Sequence, residues 1–213
     1  MTPYLVLDIE TVGHITPQMK ELLIDKLKVG NVKDPEKIRR AIAEKTEALE
    51  EKAALSPLTG EVAVVGLGWE HAEGDTTIQT ITAEKGEVEL LQALDSALAT
   101  INPQRVVTFN GRKFDFPFIA ARTAILGLDL PMKWPLGRTY EHIDLHELWD
   151  LGSLDQWQVA MGYKRKSIPG SEIPAMVLEG RWQEVCSHCE EDVRFTLELY
   201  RRTLKCVDLN VKR

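Results

Sequence analysis

The run Tyr4-Leu5-Val6-Leu7-Asp8-Ile9-Glu10-Thr11 decides how the whole chain is read. Tyr4 to Ile9 is short, mostly apolar and partly β-branched, which suits a buried strand. Two acids interrupt it. Side chains alternate along a strand, so Asp8 and Glu10, two apart, share one face. Like charges so placed repel unless a cation lies between them, and oxygen donors at that spacing suit Mg2+ or Mn2+. The plainer alternative is a strand that simply ends where polar residues begin.

Working outward, Pro17 to Val29 and Pro35 to Ala54 read as helices, each opening at a proline. They form an insertion over about residues 14–56, after the first strand. It reads as a helical hairpin packed on the core; a cover for one sheet edge or a small lobe are the alternatives. Glu61 to Glu70 and Thr76 to Thr82 read as strands joined through Gly74-Asp75. Then follow an amphipathic helix from Glu87 to Ala99, a strand from Arg105 to Phe109, and a helix from Phe114 to Leu126 that stops at Gly127. A strand around Tyr140 to Leu145 precedes several helices reaching about Cys206. This order is an α/β plan, and the early hairpin predicts a mixed sheet rather than a purely parallel one.

The bulk properties narrow the classes. A chain of 213 residues fits one domain, here expected to span 1–213, with a core that needs no disulfides. With 44% hydrophobic and 28% charged residues, disorder and a membrane bundle are excluded. Three cysteines are too few for a disulfide framework, so a reducing, cytoplasmic compartment is expected. No basic segment precedes the first apolar run, and Val62 to Trp69, the longest apolar stretch, is too short to span a bilayer.

Two further segments carry acids. Val106 to Gly111 is a strand running into a turn, with Asn110 in that turn and Phe114-Asp115 just beyond it. Asp115 falls at a helix start, where the helix dipole favours a negative charge; an ordinary cap is the simpler reading. In His188-Cys189-Glu190-Glu191-Asp192, His188 and Asp192 are four apart and project from one helical face, unless the run is only a solvated acidic surface.

Together, Asp8 with Glu10, Asn110 with Phe114-Asp115, and Asp192 resemble the three motifs of the DEDD class of 3′–5′ exonucleases, which have an RNase H-like fold. The order and spacing cover Tyr4 to Tyr200. The stretch from Gly152 to Asp155, through Gly162-Tyr163 and Lys166, also resembles the segment before the third motif of that class. The chain looks most similar to predicted exonucleases related to the exonuclease domain of family B DNA polymerases. The resemblance implies an RNase H-like mixed sheet flanked by helices. It also implies two Mg2+ or Mn2+ ions held by Asp8, Glu10, Asp115 and Asp192. Such ions, about 3.5–4 Å apart, clamp the attacking and leaving oxygens of a phosphodiester. One departure stands out. The class positions its water with a tyrosine four residues before the last aspartate or a histidine five before it. Here the tyrosine spacing carries His188, expected to act as general base or to orient the water without ligating metal.

Thr11, Phe109, Asn110 and Phe114 are the candidate contacts to a terminal nucleotide; Phe116 reads as packing. The expected activity is removal of nucleotides from the end of a single strand, DNA before RNA. Two alternatives stand beside it. One is an RNase H-like nuclease acting on RNA or endonucleolytically. The other is a catalytically silent RNase H-like binding module.

Three weaker motifs contribute little. Cys186-x-x-Cys189 lacks the second pair a structural zinc site needs. Gly66-Leu67-Gly68 lacks the third glycine and the helix of a dinucleotide site. Lys164-Arg165-Lys166 reads as an exposed basic turn, with phosphate contact as the alternative.

The net charge of −7 argues against gripping a duplex by bulk charge. Its distribution is uneven: residues 70–95 hold seven acids and one base, whereas residues 105–138, around Asn110 and Asp115, hold six bases and two acids.

Overall fold

A computed structural model describes residues 4–27, 34–71, 74–130, 141–164, 166 and 168–209. Among the described residues five strands form one sheet in the order β3-β2-β1-β4-β5. These are β1 (Tyr4–Gly13), β2 (Gly60–Glu70), β3 (Thr76–Thr82), β4 (Arg105–Thr108) and β5 (Glu141–Asp144). β2 runs antiparallel to both β1 and β3, while β4 runs parallel to β1 and β5 parallel to β4. The mixed sheet expected from the early hairpin is therefore present.

β1 is central and its two faces differ. Leu5, Leu7 and Ile9 pack with Leu90, Leu91, Leu94 and Leu98 of α3 (Glu87–Ile101) and with Phe116, Phe118 and Ile119 of α4 (Asp115–Ile125). Tyr4 and Val6 face Val193, Leu197 and Tyr200 of α8 (Trp182–Cys206). The strict period of two then carries Asp8 and Glu10 onto the α8 face, next to the acids of that helix. The strand does not end at these acids but continues to Gly13. Its register against β2 shifts between Glu10 and Thr11, a bulge beside the paired carboxylates.

Helix α8 can reach Asp8 because β2 presents glycine at positions 66 and 68 beneath it, next to Val64, which packs on Val185 and Cys189. A Cβ on Gly66 would lie 2.7 Å from Val193 Cγ2 and 2.8 Å from Cys189 Sγ, and one on Gly68 would lie 2.5 Å from Val193 Cγ1. Gly66 is the register partner of Asp8. The two glycines thus form the seat of α8, a role the Gly-x-Gly spacing alone does not reveal.

The insertion contains α1 (Pro17–Asp25), capped by Thr16, and α2 (Pro35–Glu51), capped by Asp34. Its expected packing on the core is not what forms. Neither helix buries a residue. The two meet each other instead, Leu23 and Ile24 lying near Thr46 and Leu49, with Lys20 Nζ 2.6 Å from Glu50 Oε1. The reason is compositional: α2 is mostly charged, and its apolar stripe suffices for one partner helix only. A small lobe results, tied to the sheet where Thr11 Oγ1 donates to the Ala54 carbonyl (2.6 Å) and Thr59 Oγ1 to the Ala53 carbonyl (2.9 Å). Residues 28 and 29 of the expected first helix lie outside the described residues. The remaining helices are α5 (Leu145–Trp149), α6 (Leu154–Ala160) and α7 (Ile173–Leu178). Among the described residues no helix is long and apolar enough to cross a membrane.

Candidate active site

The chemistry gathers where β1, the start of α4 and the middle of α8 meet. His188 Nδ1 lies 2.8 Å from Glu10 Oε1 and 3.9 Å from Asp192 Oδ2. Donor atoms of Glu10, His188 and Asp192 all lie within 4.8 Å of one another, as do those of Asp8, Glu10 and Cys189. Two triads sharing Glu10 therefore join the first and third acidic segments, 178 residues apart in the case of Glu10 and His188.

Asp115, only 4% exposed, is the first residue of α4. Burial pushes its pKa up to about 7, opposed by N–H groups at Asp115 and Ile9 and helped by Asp144 and Glu10. Asp8 is raised well above the carboxylate range, by burial and then by the charges of Asp192, Asp115 and Glu10. Asp192 is raised by burial, with Lys166 pulling it back. Three crowded carboxyls that resist ionisation are what a divalent cation would relieve, and an all-oxygen set suits Mg2+ or Mn2+. The residues fit such an ion.

His188, 6% exposed, is held by Glu10. Burial lowers its pKa, but the Glu10 hydrogen bond and charge outweigh this and leave it raised. Nδ1 is the ring nitrogen that faces Glu10; Nε2 is buried and has no partner among the described residues.

A capped loop presents the second motif. Asp144 Oδ1 accepts from the Asn110 amide (2.8 Å) and the His146 amide (3.0 Å), and its Oδ2 accepts from the Arg112 amide (2.9 Å). Asn110 takes φ = +70°, a left-handed position that asparagine tolerates. The other proposed substrate contacts are distributed around this loop. Phe109 is half-buried and edge-on to His146 at 5.4 Å, Phe114 is half-buried against Phe118 at 5.5 Å, and the Thr11 hydroxyl is engaged by the insertion.

Two site residues are not apparent from the sequence reading. Cys189 is buried with Sγ 3.7 Å from Asp8 Oδ2, and burial and the adjacent carboxylates push its thiol up, so it stays protonated and unreactive. Lys166 corrects the exposed-turn reading. Its side chain is 8% exposed and Nζ contacts Asp192 Oδ1, with Asp155 Oδ1 at 3.7 Å. Burial works against its charge, yet Asp192, Asp155 and Asp8 hold its pKa raised. Lys164 is exposed as expected, and Arg165 lies outside the described residues. The sequence reading named Lys166 only within the stretch that resembles the segment before the third motif, and its place eleven residues after Asp155 does not mark it for burial.

A mixed sheet in this order, with acids on the central strand opposite a helix bearing another, defines a nuclease-like α/β architecture. The RNase H superfamily profile matches residues 46–204, and the chain belongs to that superfamily. It is 31% identical over 111 residues to DNA polymerase 1 of Aeropyrum pernix, a match covering 44% of this chain and 12% of that protein. The fold also matches the family B DNA polymerase of the archaeon Pyrobaculum calidifontis, with a TM-score of 0.61 at 16% identity, over 96% of this chain and 25% of the polymerase. The chain thus spans a small part of the length of both.

Proposed function

We propose that this protein is a divalent-metal-dependent 3′–5′ exonuclease that removes nucleotides from the end of a single strand, DNA in preference to RNA. The observation that carries this reading is the gathering of donor atoms of Asp8, Glu10, His188 and Asp192 in two groups that share Glu10, with the buried Asp115 near enough for its charge to act on Asp8. The similarity to polymerases supports it. Asp8, Glu10, Asp115 and Asp192 are the oxygen donors for Mg2+ or Mn2+. When bound, the metal supplies Lewis acidity and lowers the pKa of a water that attacks phosphorus.

The chain's own groups do the rest. Glu10 fixes His188 with Nδ1 as donor, which leaves the Nε2 lone pair to accept a proton from the water. A raised pKa makes the imidazole a stronger base at the cost of a smaller neutral fraction at neutral pH. Asp144 holds the loop that presents Asn110 and Asp115, and Phe109 and Phe114 offer ring surface to a terminal base.

The test is a time course on 3′-resected, 5′-labelled single-stranded DNA, duplex DNA and single-stranded RNA, with Mg2+ and then Mn2+. The expected result is a ladder shortening from the 3′ end, fastest on single-stranded DNA and abolished by chelator. Folded protein that degrades none of the three under any metal refutes the reading.

A further inference from the structure

Lys166 is treated unlike an ordinary basic residue. It lies between α6 and α7, and its ammonium enters the acidic site against Asp192 Oδ1. Asp192 is also one corner of the Glu10–His188–Asp192 triad, so the ammonium and a divalent cation require the same carboxylate. The ammonium has a second acid at hand. Asp155 Oδ1 is 3.7 Å away, and that side chain is 56% exposed, at the outer side of the site. A flexible four-carbon stem lets Nζ move between two acids this close without displacing the backbone.

We propose that Lys166 is a displaceable positioning residue: its ammonium holds Asp192 in the site until a divalent cation takes that carboxylate, and then transfers to Asp155. The inference rests on the metal-dependent reading above. Two consequences follow. Metal binding is linked to release of the ammonium, so the apparent affinity is weaker than the intrinsic one. Loss of the ammonium leaves Asp8, Glu10, Asp115 and Asp192 mutually repelling until metal arrives, so the variant gains more stability from metal than the wild type does.

The probe is Mn2+ alone, on the full chain. In Lys166→Met, Mn2+ affinity measured by electron paramagnetic resonance should tighten by about 10-fold, within the usual range of linked binding equilibria. The rise in Tm on adding Mn2+ should exceed that of the wild type. Unchanged or weaker Mn2+ binding by folded Lys166→Met overturns the proposal. The wild type supplies a measurement that does not depend on the variant's folding: amine acylation mapped by mass spectrometry. Lys166 should label slowly in chelator and several-fold faster with Mn2+ bound, while Lys164 is unchanged. Equal labelling of Lys166 with Mn2+ demonstrably bound overturns displacement and leaves the nuclease reading intact. A wild type that binds no Mn2+ at all overturns both.

Discussion

Two buried charged clusters in this molecule are built to opposite rules. In the first, Glu87 of α3 meets Arg122 of α4, with Arg122 Nη2 2.6 Å from Glu87 Oε2. Glu87 Oε1 also accepts from the Val62 amide of β2 at 2.8 Å, and Arg122 Nη1 donates to the Pro57 carbonyl at 3.1 Å. One buried acid answers one buried base, with the partly exposed Glu61 Oε1 3.7 Å from the same guanidinium, and the hydrogen bonds left over tie two helices to a strand. In the second, Asp8, Glu10, Asp115 and Asp192 meet one lysine and one histidine. The first cluster is balanced and serves the fold. The second crowds more carboxyls than cations into a low-dielectric setting, where ionising them all costs stability, an arrangement that makes sense as a cation site.

The contrast can be broken most sharply at Asp8. Asp8→Asn should reduce Mg2+- or Mn2+-dependent hydrolysis to background while leaving the Tm in chelator unchanged or higher, because it removes one of several repelling groups. Full activity in contaminant-free variant would sink the assignment. His188→Ala should lower kcat by about 10²–10⁴-fold, the usual contribution of a general base, and still bind Mn2+. Unaltered turnover would remove His188 from the chemistry.

Arg122→Met tests the balanced cluster. It strands Glu87 and should cost about 3–5 kcal/mol in urea unfolding, with activity per folded molecule retained. A variant as stable as wild type would show that the ion pair is not the tie it looks to be. Gly66→Ala, which drives a methyl toward Val193 and Cys189, should cost about 1–3 kcal/mol and also weaken Mn2+ binding by shifting α8. Stability lost without any change in metal binding would separate the seat of α8 from the site.

The last test concerns pH. With its pKa up at about 7, native Asp115 keeps a proton that the unfolded chain has already released. In chelator, that stability is present in full below the ordinary carboxylate range and is lost as pH rises from about 4 to 7. Asp115→Asn should flatten the decline in urea midpoint over this window. A slope indifferent to that substitution would show that Asp115 does not carry it.

Much of the candidate site was legible because its spacing is local. Asp8 and Glu10 obey the strand period, His188 and Asp192 the helix period, and the three segments follow the order of a known nuclease class. The resemblance named Lys166, but its burial against Asp192 was not legible, since nothing within Lys164-Arg165-Lys166 marks its third residue for burial. Nor was the place of Cys189: its spacing to Cys186 fell short of a zinc site and pointed nowhere else, while its contact is with Asp8. Gly66 and Gly68 resembled a fragment of a nucleotide motif until a helix was seen to rest on them. The insertion misled for a related reason, because an amphipathic stripe does not say which surface will cover it.

By itself, the sequence determined the α/β alternation, the mixed sheet and the face of β1 that carries acid, since these depend on periodicity over a few residues. Only the tertiary structure decided which lysine ammonium those acids meet, which helix lies over them and which glycines admit it. Such contacts join residues far apart in the chain, and they arise from the packing of whole elements rather than from any pattern within one.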